Sequence, residues 1–168
     1  PIDAVATGAA YEAAHAAGIP IISMARGSKS EFQTLFVAMD SVQIGRDIAA
    51  WAAAAAGDKG KVAMIAGPAG ANVFHDLADG FKEEIAKHPD MPIVFEHNVA
   101  LTREEGLKQA EDVLVAHPDV RVIYAGNDEL ALGAAQAVAT AGKKGGNIST
   151  GLTGAPPARA AARQADPC

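Results

Sequence analysis

The chain has 168 residues, 49% of them apolar, which is enough for one ordinary core or for one core plus part of another. Its net charge is -6 and its 14 Lys and Arg form no run longer than Lys143-Lys144, which excludes the electrostatic footprint of a nucleic-acid binder. A single cysteine, Cys168, excludes an internal disulfide and any cysteine-based metal set.

Pro1 opens directly into helical-looking sequence with neither a start Met nor a signal-peptide pattern, so the N-terminus reads as cut and a missing export signal carries no information. "IPIISM" (19–24) reads as a strand. No helix pattern follows it; "GSKSEFQTLFV" (27–37), polar then apolar, reads as a crossing segment. Residues 40–57 are a helix with Ile44, Ile48, Trp51 and Ala55 on one face. Its apolar part, "IAAWAAAAAG" from Ile48, is about half the roughly 20 residues that span a bilayer. "KVAMIAG" (61–67) is a strand, followed by a helix over 72–88 with Phe74, Leu77, Phe81 and Ile85 inward. "PIVFEHN" (92–98) is a third strand. "TREE" (102–105) is a Thr-x-x-Glu capping box that opens a helix with Leu107, Ala110 and Leu114 inward. "VRVIYAG" (120–126) is a further strand, Gly142 closes the helix after it, and "NISTGL" (147–152) is a weaker strand.

Strands with continuous apolar runs, alternating with helices, are buried on both faces. The fold class is therefore α/β, a Rossmann-like parallel sheet with helices on both faces. Residues 1–39 are assigned to part of one lobe with its crossing, and 40–168 to a second, nearly complete lobe.

Open parallel sheets bind ligands outside the carboxyl ends of their strands. The residues there are Ala25-Arg26, "GPAGAN" (67–72, ending in Asn72), "HNVALT" (97–102), Asn127-Asp128 and Thr153. The amide of Asn127 can both donate to and accept from a polar ligand; its alternative role is to cap the next helix, with Glu129 favouring the positive end. "GPAGAN" could cradle an anion on free N–H groups or be a plain tight turn. His75-Asp76 and His97 are the histidines nearest this edge, and no Gly-x-Ser-x-Gly elbow or paired nucleophile accompanies them, so no catalysis, cofactor or metal is expected. His15, His88 and His117 lie towards helix ends and read as structural or solvated.

"GIPIISMAR", "AMDSVQIGRDIA", "KVAMIAGPAGA", "DGFKEEIAKHP", "HPDVRVIYAGNDELALGA" and "GLTGAPP" follow in order a pattern that resembles the periplasmic sugar-binding proteins of the ribose-binding type, in the type I periplasmic binding protein superfamily. The resemblance implies two Rossmann-like lobes joined by three crossings, a small solute bound in the cleft, a periplasmic location, and a membrane permease or sensor domain of an ABC-type system as partner. It also implies that about half of the first lobe is absent and that the chain stops before the return crossing, with "ADPC" resembling no family ending. Carried over residue by residue, Arg26 matches a sugar-clamping arginine and Asn127 an amide that hydrogen-bonds hydroxyls. Four positions depart: Ala25 stands for an acid, Leu77 for an arginine, Leu101 for a stacking aromatic and Thr153 for an aspartate, and Leu77 equally fits the inward face of its helix. Charged bidentate bonds and stacking discriminate sugars, so the departures point away from ribose itself, towards a less polar solute or a more distant branch. Two alternatives stand beside this reading: the effector-binding domain of a lac-repressor-type regulator, and a small Rossmann-like enzyme.

Overall fold

The computed structural model describes residues 6–24, 27–143 and the backbone of 148–150. Its elements are α1 (Gly8–Ala16), β1 (Ile22–Met24), β2 (Leu35–Val37), α2 (Ser41–Ala56), β3 (Lys61–Ala66), α3 (Asn72–Ile85), β4 (Ile93–Asn98), α4 (Arg103–Ala116), β5 (Val120–Ala125), α5 (Asp128–Thr140) and β6 (Ile148–Thr150). They divide into two units, with the boundary between Asp40 and Ser41.

In the second unit, side-chain alternation along the strands builds two cores. Val62 and Met64 of β3 and Val122 and Tyr124 of β5 face α2 and α3, where Ala49, Ala53, Phe81 and Ile85 meet them. Ala63, Ile65, Ile123 and Ala125 face the other way, against Ala110 and Val113 of α4 and Leu130 and Ala134 of α5. The strands run in the order β4-β3-β5-β6 and every pairing is parallel. This is the Rossmann-like parallel sheet with helices on both faces that the alternation implies. The strand over 92–98 differs from the sequence expectation. As an edge strand β4 is only half-buried at Ile93, Val94 and Phe95 and exposed at Glu96, His97 and Asn98. Its register also slips by one residue against β3, which leaves Val94 without a Cα partner.

The helices pack in pairs through reciprocal glycines. A Cβ on Gly45 of α2 would stand 2.2 Å from the Leu77 carbonyl oxygen of α3, and one on Gly80 of α3 would stand 2.0 Å from that of Val42. On the opposite face, Gly106 of α4 would meet the Leu130 carbonyl oxygen at 2.3 Å and Gly133 of α5 that of Arg103 at 2.2 Å. Backbones this close admit only small side chains between them. The buried face of α2 is accordingly Gly45, Ala49, Ala52, Ala53 and Ala56. This corrects the sequence expectation for that helix: Ile44 and Ile48 are half-buried, Ala55 is exposed and Trp51 is 58% exposed. Periodicity counted the large side chains, whereas the contact selected the small ones. In α4, Leu107 is likewise only half-buried, beside the buried Gly106, Ala110, Val113 and Leu114.

Half of the expected capping box forms. The Glu105 N–H donates to Thr102 Oγ1 at 3.2 Å, but the Thr102 N–H goes to the Ala100 carbonyl at 2.9 Å and the Glu105 carboxylate takes the Gln109 amide at 3.3 Å. After α5, Gly142 adopts φ +70 and the Lys143 N–H returns to the Val138 carbonyl at 3.1 Å, the helix stop expected there.

In the first unit the segment expected to be a crossing contains β2, which pairs in parallel with β1 through Ile22↔Leu35 and Met24↔Val37. Tyr11 of α1 hydrogen-bonds Ser23 between side-chain oxygens at 2.7 Å, which sets α1 against the Ser23 face. The opposite face, Ile22, Met24, Leu35 and Val37, is apolar and exposed.

Two outcomes follow. Gly80→Ala and Gly133→Ala each drive a methyl into backbone and should lower the urea-unfolding free energy by about 1–3 kcal/mol. Gly70→Ala, where a Cβ meets nothing within 4 Å, should stay within about 0.5 kcal/mol. Hydrogen exchange should be faster in β1 and β2, which lie in a two-stranded sheet with one bare face, than in β3 and β5, and equal protection would contradict that ranking.

Candidate functional site

Because the strands of the second unit run parallel, the starts of α3, α4 and α5 gather at one edge of the sheet. The pairings Ala66↔Asn98 and Ile65↔Ala125 bring the ends of β4, β3 and β5 level, so Val99, Gly67 and Gly126 leave the sheet side by side. Three hydrogen bonds knit these exits: Val99 N–H to the Ala66 carbonyl at 3.0 Å, Gly126 N–H to the Ile65 carbonyl at 2.9 Å, and Asn98 Nδ2 to the Gly67 carbonyl at 2.8 Å. The two glycines are needed here. A Cβ on Gly126 would lie 2.7 Å from the Gly67 nitrogen, and one on Gly67 would lie 2.6 Å from the Phe74 ring.

The three helix starts are electrostatically unequal. Thr102 caps α4, whose first turn carries Glu104 and Glu105. Asn127 caps α5, whose first turn carries Asp128 and Glu129. At α3 the N-cap residue is Ala71, no side chain caps it and no acid lies in the first turn. "GPAGAN" is a tight turn, closed by the Ala71 N–H on the Pro68 carbonyl at 3.1 Å. Arg103 spans α4 and α5, with Nε and Nη2 each 3.1 Å from a Glu129 carboxylate oxygen. Beside α3, His75 Nδ1 lies 3.0 Å from Asp79, and Lys82 Nζ lies 3.6 Å from Asp79 and 2.9 Å from Glu96. The hydrogen bond to Glu96 holds the Lys82 ammonium above the ordinary lysine range, with burial opposing it. These pairs are substantially exposed, so they orient the surface more than they stabilise it.

The residues singled out from the sequence fall as follows. Asn127 is half-buried, and its Oδ1 accepts the Leu130 N–H at 2.9 Å, so it is a helix cap. Its Nδ2 has no partner among the described residues. Asn72 and His75 are exposed in the first turn of α3. Leu101 is half-buried and packs against the core between the sheet and α4 and α5. Leu77 is fully buried, in keeping with its reading on the inward face of its helix, and its carbonyl oxygen lies at the Gly45 contact with α2. His97 is tied through Nδ1 to Gln109 Oε1 at 2.9 Å, which fastens β4 to α4. Arg26, its neighbour Ala25, and Thr153 lie outside the described residues. Asn98 lies in the segment "HNVALT" that the sequence places at this edge, but no pattern singles it out individually. It is a polar amide ending an apolar strand, but its grip on Gly67 is a contact between strands that no local pattern records. Among the described residues, no group of three or more His, Cys, Asp or Glu could hold a metal ion, and no helix is long and apolar enough to cross a membrane.

The cap can be tested by itself. Asn127→Asp keeps the accepting oxygen and adds charge at the positive helix end, so unfolding stability should hold or rise by up to about 1 kcal/mol, whereas Asn127→Ala should cost roughly 1 kcal/mol. Thermal unfolding of both variants checks this, and an equal loss in the two would show that the side chain is not a cap.

A family model described as a periplasmic binding protein domain matches residues 1–166. The ribose import binding protein of Escherichia coli is 34% identical over 143 residues, covering 85% of this chain and 48% of that protein. A solved structure of an ABC transporter periplasmic solute binding protein from Actinobacillus succinogenes, with bound D-allose, superposes with a TM-score of 0.92 at 30% identity, over 98% of this chain and 60% of that one. That of a periplasmic ribose ABC transporter from Conexibacter woesei gives 0.91 at 32% identity, over 98% and 56%. The chain spans about half the length of the curated relatives it matches. Neither a transcription regulator's effector domain nor a small Rossmann-like enzyme is supported by these likenesses.

Proposed function

Because the chain belongs to the family of periplasmic binding protein domains, we propose that it is part of a solute-binding protein of an ABC-type transport system, located in the periplasm and taking a small sugar or related polyol. The single observation that carries this reading is the family match over nearly the whole chain. The geometry that supports it is the carboxyl edge of the parallel sheet, where Asn127 presents an Nδ2 with no partner among the described residues.

The chemistry proceeds from the groups at that edge. A sugar hydroxyl oxygen accepts from Asn127 Nδ2, while the amide's other end is held on the α5 backbone, so little side-chain freedom is lost on binding. Asn72 and His75, exposed in the first turn of α3, offer further polar contacts, and Leu101 offers an apolar one. Arg26 and Thr153 complete the proposed set. No bond is made or broken in the solute. The fraction of protein in the solute-bound form is the signal that a membrane permease or sensor domain would read. The net charge of -6 and the absence of a basic run in the sequence give no support to nucleic acid as a partner.

The same residues bear on which solute is taken. With Leu77 in the interior, the departures from the ribose-binding pattern that remain are Ala25, Leu101 and Thr153. Leu101 cannot stack as an aromatic does, and neither Ala25 nor Thr153 supplies a carboxylate. Calorimetric titration with D-allose, D-ribose and myo-inositol is therefore expected to give saturable binding of at least one, with D-ribose no tighter than about 1 mM, or about -4 kcal/mol. Micromolar affinity for D-ribose would overturn the argument from those positions. Failure to bind any sugar or polyol would defeat the function itself.

A further inference from the structure

Asn98 and Asn127 flank the end of β3 from opposite sides, since the strand order is β4-β3-β5 and Gly67 leaves between them. Neighbouring parallel strands lie about 4.8 Å apart, which places the two backbones roughly 10 Å from each other across Gly67. Each amide is anchored to the backbone through one end, and the partner dictates which. Only an NH2 group can meet the Gly67 carbonyl, so Asn98 is held by Nδ2 and is left with Oδ1. Only an oxygen can meet the Leu130 N–H, so Asn127 is held by Oδ1 and is left with Nδ2. Neither remaining atom has a partner among the described residues. The edge thus carries one fixed acceptor and one fixed donor on either side of a glycine.

From this, and resting on the solute-binding reading above, we infer that Asn98 is a second solute-binding residue, the acceptor opposite the Asn127 donor. A hydroxyl group is both donor and acceptor, so two hydroxyls of one sugar satisfy both amides in either orientation. A carboxylate cannot donate and would face the Asn98 oxygen unpaired, and an ammonium would leave the Asn127 donor unmet. Because each amide is already fixed by its backbone bond, its orientation is set before the solute arrives.

The test is a titration of the chain with D-allose, followed by the side-chain amide NMR signals of Asn98 and Asn127. Both should shift along one binding curve. Asn98→Leu, of similar size but without an acceptor, should raise the dissociation constant at least fivefold, with a melting temperature no lower than that of Asn98→Asp, since both variants lose the bond to Gly67. Asn98→Asp loses the Gly67 bond but keeps an acceptor, and should bind D-allose within about threefold of the parent. If Asn98 only braces the turn, the two variants weaken binding equally. That result, an unchanged dissociation constant in Asn98→Leu, or shifts at Asn127 without shifts at Asn98 overturns the inference and leaves the proposed function standing. Shifts at neither amide with D-allose, D-ribose or myo-inositol defeat the function and the inference together.

Discussion

Backbone contact between paired helices, permitted by four glycines, is the constraint on which the second unit depends. Gly45 and Gly80 close α2 on α3, and Gly106 and Gly133 close α4 on α5, one pair on each side of the sheet. A methyl at any of the four would lie 2.0–2.3 Å from a carbonyl oxygen of the facing helix, a distance that real Cβ atoms do not reach. Dispersion gains fall steeply with separation, so helices that approach to this degree and carry alanine along the seam pack densely without large side chains. The alanine-rich face of α2 is the expression of that economy.

The same contact reaches the candidate site. Leu130 uses its carbonyl oxygen as the surface against which Gly106 lies, and its N–H as the donor that Asn127 accepts. Arg103, whose carbonyl faces Gly133, uses its guanidinium to grip Glu129 in the first turn of α5. The tightest packing on that face of the sheet and the orientation of the proposed donor therefore involve the same residues. A loosened α4–α5 seam would be felt at Asn127 through a shift of the helix it caps. By contrast, exposed pairs such as Lys61–Asp119 and Arg46–Glu83 connect elements across the surface and, screened by water, add little to stability.

Polar groups at the edge are satisfied sparingly. Among the described residues, Asn98 and Asn127 each place one side-chain atom on the fold and leave the other without a partner, while α3 begins with no side-chain cap and no acid in its first turn. A fold selected for stability alone would gain from a capping serine or aspartate there, at about 1 kcal/mol. Hydrogen-bonding capacity at the carboxyl edge of a parallel sheet is what a polar solute needs, and it is the feature on which the proposed solute-binding role rests.

Several features were determined by the sequence without help from tertiary structure. Alternating apolar strands required a parallel sheet covered on both faces; Thr102, Asn127 and Gly142 marked helix ends through bonds to residues within five positions; and the strand ends marked the edge where Asn127 sits. These depend on the backbone's own periods and on local hydrogen bonds, which a linear pattern records. Tertiary structure alone decided that Trp51 faces outward and Gly45 inward, that residues 35–37 pair with 22–24, and that Asn98 holds Gly67. Each of those outcomes depends on the distance between segments far apart in the chain. A pattern that weights side chains by size along one helix cannot register a neighbour's carbonyl oxygen about 2 Å from where a methyl would stand.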